Sequence, residues 1–156
     1  MCTILPHYEI TEQTMALIPV SHPNYHTIAI EVNQTLHITK TPFEIIKRGC
    51  LDNFSSLEGR RESVTHLTGF KRKAPIPISV YRNIFVFPTH AVLDWECCWL
   101  FYQHVESIVK KKLDDTQSIV IFKNGTEVIV EVPKRELIKQ LDKTSLLSNL
   151  SSGLRG

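Results

Sequence analysis

The sequence predicts an α+β fold: a single β-rich domain of antiparallel hairpins or a meander, with a central helix at about 41–52 and a C-terminal helix at about 134–147. Three observations lead there. SIVIFKNGTEVIVEV (118–132) alternates apolar and polar residues around Asn124-Gly125, a pair that tolerates the positive φ angles of a two-residue type I′ hairpin turn. Thr41-Pro42-Phe43-Glu44 supplies a capping residue, a proline suited to the first helical position and the acid of a capping box. Ile28, Ile30 and Val32, then Leu36 and Ile38, repeat with the period of two of a hairpin buried on one face.

The elements follow in order. Thr14–Val20 is a short β-type run closed near Pro19, and Ser21-His22-Pro23-Asn24 is a turn cluster. Phe43, Ile46 and Cys50 form the apolar stripe of the central helix, leaving Lys47 and Arg48 toward solvent or a partner; Gly49 weakens its last turn. Asn53–Arg61 reads as a capped turn leading into a short helix with exposed arginines. Gly69 opens a loop in which Pro75 and Pro77 keep the chain extended, so that Lys71-Arg72-Lys73 stands out on an arm or rim. NIFVFPT (83–89) and CCWLFYQHVESIV (97–109) are aromatic and β-branched central strands joined by the turn THAVLDWE. Trp99, Phe101 and Val105 fall on one face of the second, Leu100, Tyr102 and His104 on the other. After the 118–132 hairpin, Pro133 ends the strand, and Leu137, Ile138 and Leu141 mark the buried side of the last helix.

Length and composition set the bounds. At 156 residues the chain fits one domain, 1–150, with SSGLRG (151–156) as a flexible tail. Hydrophobic content of 42% and charged content of 22% are those of a globular protein rather than a disordered one. No apolar run approaches the roughly 18 residues of a membrane helix. The N-terminus lacks the basic region of a secretory signal, and Cys2, Cys50, Cys97 and Cys98 do not form a disulfide scaffold. A cytoplasmic protein with no membrane association is expected.

The charge is unevenly distributed along the chain. Residues 1–39 carry three acids and no Lys or Arg, for −3. Residues 40–82 carry nine bases and four acids, for +5, and residues 83–156 carry nine of each. The positive excess thus sits in the middle of the chain, as a surface for an anionic partner would require. Arg60 and Arg61 offer guanidinium forks beside the short hydroxyls of Ser55 and Ser56, a mixture suited to phosphate. With Lys47, Arg48, Lys71, Arg72 and Lys73, these are the candidate DNA-binding residues. Neither a P-loop nor a helix-turn-helix signature is present.

Enzyme chemistry has little to stand on. His90, Cys97, Cys98 and His104 lack the spacing of a zinc site, and adjacent cysteines in a strand point to opposite faces. Cys50 lies on a packing face. No metal, no cofactor and no catalytic residue is expected.

Five blocks carry a resemblance. Ile46-x-x-Gly49-Cys50, Phe54-Ser55-Ser56-Leu57-Glu58-Gly59-Arg60, Asn83-Ile84-Phe85-Val86-Phe87-Pro88-Thr89, Cys98-Trp99 and Phe122-x-Asn124-Gly125 agree in order and spacing with the ComK family of competence transcription factors, from about Tyr8 to Leu147. The resemblance implies a bacterial activator of DNA-uptake genes that binds A/T-rich double-stranded promoter DNA from the minor groove. It also implies assembly as a homodimer or tetramer and control by a Clp-type protease through an adaptor. The chain stops soon after its final helix, where longer members continue, and the doubled Cys97-Cys98 departs from the family pattern. The alternative to a DNA-binding activator is an interaction module whose basic middle docks an acidic partner, such as an RNA polymerase subunit or a protease adaptor.

Overall fold

The computed structural model describes residues 3–155. Its centre is a seven-stranded sheet in the order β1-β4-β3-β2-β7-β6-β5, formed by β1 (Ile4–Leu5), β2 (Thr14–Pro19), β3 (Thr27–Glu31), β4 (Thr35–Ile38), β5 (Ile76–Ser79), β6 (Ile84–Pro88) and β7 (Trp99–Phe101). All neighbours are antiparallel except the short β1, which lies parallel to β4. The expected 28–38 hairpin is β3–β4, with Ile28 opposite His37 and Ile30 opposite Thr35.

Both faces of this sheet are covered, which is why β6 and β7 read as unbroken apolar runs. On one face α1 (Pro42–Asp52) packs Ile45, Ile46 and Cys50 against Leu17, Ile78, Val86, Trp99 and Phe101. On the other, Met15, Phe87 and Leu100 meet a three-stranded sheet of β8 (Val105–Lys110), β9 (Ser118–Phe122) and β10 (Glu127–Val130), together with Leu137 of α3 (Lys134–Arg155). A smaller cluster of Val64, Ala74, Phe85 and Leu147 fills the corner where α2 (Leu57–Thr68) approaches α3.

The structure revises several expectations. Residues 97–109 are not one strand: β7 ends at Phe101, a 3-10 turn spans Tyr102–His104, and β8 begins at Val105 in the second sheet. Val105 therefore packs on the opposite side from Trp99 and Phe101. In the last hairpin Ile121 pairs with Glu127, and the Phe122 N–H donates to the Thr126 carbonyl at 2.9 Å. That leaves a three-residue loop, Lys123-Asn124-Gly125, rather than a two-residue turn. Gly125 takes φ +90° there, as the glycine closing such a loop must. The stripe of α1 runs through Ile45, Ile46, Gly49 and Cys50, with Phe43 only half-buried.

Two helices differ in extent. The segment after Ser56 is a twelve-residue helix, α2. α3 runs on past residue 147 to Arg155, so residues 151–155, expected as a flexible tail, are helical. Among the described residues, the buried positions of α3 are Leu137, Gln140, Thr144, Leu147 and Ser151, recurring every three or four positions as one helical face. No helix among the described residues is long and apolar enough to cross a membrane.

Candidate nucleic-acid interface

The basic residues are held by two helices and the loop behind them. α1 starts at a complete capping box: the Glu44 N–H donates to Thr41 Oγ1 at 3.2 Å, and the Thr41 N–H donates to Glu44 Oε1 at 3.1 Å. The bond from the Thr41 backbone holds the Glu44 carboxyl below its ordinary range. Such a cap is worth about 1 kcal/mol. Gly49 turns out to be more than a weak helix former. A Cβ there would stand 2.7 Å from Ile10 Cδ1, so its absence lets α1 approach the segment leading into β2.

The elbow between α1 and α2 absorbs several residues expected at the interface. Ser56 is the N-cap of α2, its Oγ accepting the Gly59 N–H at 2.9 Å. The Ser55 N–H closes the turn on the Cys50 carbonyl at 3.1 Å. Arg60 folds back, its Nη2 donating to the Asn53 carbonyl at 3.1 Å, and its Nε is buried without a partner among the described residues. Ser55, Ser56 and Arg60 thus build the elbow. Phe54 at its tip is fully exposed and sits at φ 65°, an uncommon conformation for a bulky residue.

Arg61 points elsewhere, with Lys71–Lys73. α2 ends at Gly69 in the left-handed conformation, and the chain doubles back so that Arg61, Lys71, Arg72 and Lys73 line one open groove with Ala91, Val92 and Leu93. A neighbouring depression, lined by Arg61, Glu62, Thr65, His66, Lys71 and Ala74, extends it along α2. Arg61, Lys71 and Arg72 are exposed and make no ion pair among the described residues. Lys73 is half-buried and pairs with Glu136 of α3 at 3.4 Å.

The basic loop is not the free arm that its prolines suggest. Gln140, buried in α3, donates from Nε2 to the carbonyls of Lys73 at 2.7 Å and Pro88 at 3.0 Å. Lys143 donates to the Arg72 carbonyl at 3.3 Å and lies 5.4 Å from the centre of the Phe70 ring. Burial first, then the positive charges of Lys73 and Lys139, hold the Lys143 ammonium below its ordinary pKa. The loop is therefore a braced rim carrying surplus positive charge. Gln140 and Lys143 had no signal in the sequence beyond ordinary helix composition.

Lys47 and Arg48 are exposed, as expected, but on another surface. Arg48 reaches Asp52 at 3.9 Å and borders clefts beside His7 and Tyr8. Such an exposed pair contributes little to stability. The nine candidates consequently divide into a groove (Arg61, Lys71, Arg72, Lys73), an elbow (Ser55, Ser56, Arg60) and the outer side of α1 (Lys47, Arg48).

The cysteine–histidine cluster has no comparable organisation. Burial pushes the Cys97 thiol up to about 11 and the Cys98 thiol up to about 12, so both stay protonated at neutral pH. The Cys97 thiol donates to the His90 carbonyl at 3.4 Å, a structural contact. Among the described residues no group of three or more His, Cys, Asp or Glu side chains is placed to hold a metal ion.

A family model described as "ComK protein" matches residues 5–153. The competence transcription factor of Bacillus subtilis (strain 168) is 27% identical over 144 residues, covering 92% of this chain and 74% of that protein. No solved structure matches.

Proposed function

The chain belongs to the ComK family, and from that premise we propose that it is a DNA-binding activator of competence genes that recognises A/T-rich boxes through the minor groove. One observation carries the residue-level reading: Arg61, Lys71 and Arg72, none of them in an ion pair among the described residues, share a groove whose backbone is fixed by α2 and by Gln140. A narrow A/T-rich minor groove has an intensified negative potential that favours inserted Arg or Lys. Arg61 and the Lys71–Lys73 rim supply that charge. In this reading the protein is not an enzyme, and the family likeness supports a dimer or tetramer spanning repeated boxes.

Groove choice is testable by replacing the A·T pairs of a bound box with inosine·cytosine pairs. Such pairs keep the minor-groove acceptors of A·T, without the guanine N2 amine, but change the major-groove pattern. Affinity within about three-fold of the original box is expected. A loss comparable to that caused by G·C replacement, where each wrong pair costs about 1–3 kcal/mol, would place the reader in the major groove.

A further inference from the structure

The turn between β6 and β7 carries two of the most exposed large apolar side chains in the protein, Leu93 at 85% and Trp95 at 68%. Single exposed hydrophobics are commonplace on protein surfaces. Here two stand on a turn that is internally braced. The Asp94 N–H donates to the Ala91 carbonyl at 2.9 Å, and the Cys97 N–H donates to the Asp94 carbonyl at 3.0 Å. Asp94 Oδ1 accepts the Glu96 N–H at 2.9 Å, which turns that carboxylate back onto its own loop. Ordering cost is thus met in folding rather than on binding.

Position gives the turn its meaning. Leu93 lines the cationic groove together with Arg61, Lys71 and Arg72. It also walls the apolar pocket on the other side of the turn, with Trp95 and Trp99. A ligand occupying the groove must satisfy guanidinium and ammonium groups and cover an apolar tip at the same time. Duplex DNA offers both, phosphates outside and the faces of stacked bases within. Proteins that approach from the minor groove use apolar side chains, leucine among them, as wedges that part a base step and kink the duplex.

We propose that Leu93 is such a wedge, entering a base step while Arg61, Lys71 and Arg72 hold the phosphates beside it. This rests on the groove being the DNA-binding surface and adds to it a local unstacking that charge alone does not produce. Pyrimidine–purine steps, which unstack most easily, are the preferred point of entry.

The test uses the full-length protein and an A/T-rich duplex in which 2-aminopurine replaces each adenine in turn. Unstacking raises the fluorescence of this base, and a rise at one or two adjacent positions is expected on binding. Leu93→Ala is expected to abolish the rise and weaken binding about ten-fold, as loss of most of one buried leucine side chain would, with the salt dependence unchanged. Leu93→Phe is expected to keep the rise. Leu93 lies on the surface, so the melting temperature of both variants should match the wild type. Normal binding without a rise at any position, or a rise that survives Leu93→Ala, overturns the wedge and leaves the groove standing. No binding by the wild type overturns the groove as well. A change in oligomeric state for Leu93→Ala also overturns the wedge, by assigning the tip to a contact between copies.

Discussion

Replacing Arg61, Lys71 and Arg72 together by alanine is expected to lower affinity for an A/T-rich duplex on the order of a hundred-fold at low salt. It should also flatten the log–log salt dependence by roughly 0.9 for each phosphate no longer neutralised. The cause is geometric. These three cations line one groove, and no acid among the described residues pairs with them. Each side chain that neutralises a phosphate releases condensed counterions, so its removal registers in the slope. Arg60→Ala should behave differently despite lying next in sequence. Its guanidinium closes the elbow on Asn53, so its truncation is expected to cost about 1–2 kcal/mol of stability while the slope holds. Titrations at several salt concentrations, with thermal melts alongside, separate these effects. An unchanged slope in the triple variant would remove the groove from the interface.

Trp99→Ala should give the largest loss of stability. Trp99 is completely buried on β7, the strand that joins β2 to β6 in the middle of the large sheet. Truncating a buried tryptophan costs about 3–5 kcal/mol through reduced burial and the cavity left behind. In a chain of this size that lowers the melting temperature on the order of 10 °C. Trp99→Phe should lose considerably less, because the buried Nε1 has no hydrogen-bond partner among the described residues and no bond is broken by removing it. Thermal unfolding followed by circular dichroism checks both. If the two variants melt together, packing around the indole is not what holds this part of the sheet.

Much of the fold was legible because local signals and tertiary demands agree. Thr41, Pro42 and Glu44 mark the start of α1 and form the capping box that their spacing implies. Ile28–Ile38 alternates because β3 and β4 form a hairpin in the large sheet. Misreadings arose where tertiary structure outweighed local pattern. In α3 the buried stripe includes Gln140, Thr144 and Ser151, polar residues that give no apolar periodicity, so the helix beyond Leu147 was invisible. In α2 only Leu57 and Val64 are buried, too few to set a period. The break at Tyr102–His104 lies within an apolar, β-prone run, and it exists because the chain must cross from one sheet to the other.

The candidate site was legible as composition, less so as geometry. Charge partition along the chain pointed to the basic middle, and four of the nine candidates do meet in one groove. Ser56 and Arg60 looked alike to a phosphate-binding reading and to a helix cap or elbow tie, because the same donors and acceptors serve both; the structure uses them in the elbow. Leu93 was hidden for another reason. A large apolar residue in a turn has no period to break, and its exposure is decided by how β6 and β7 pair.

Fluorescence anisotropy with A/T-rich and G/C-rich duplexes of equal length, each at two salt concentrations, tests sequence-selective DNA binding most directly. Tighter binding of the A/T-rich duplex at both concentrations, with both affinities falling steeply as salt rises, is the expected result. Equal affinity for the two duplexes would contradict it.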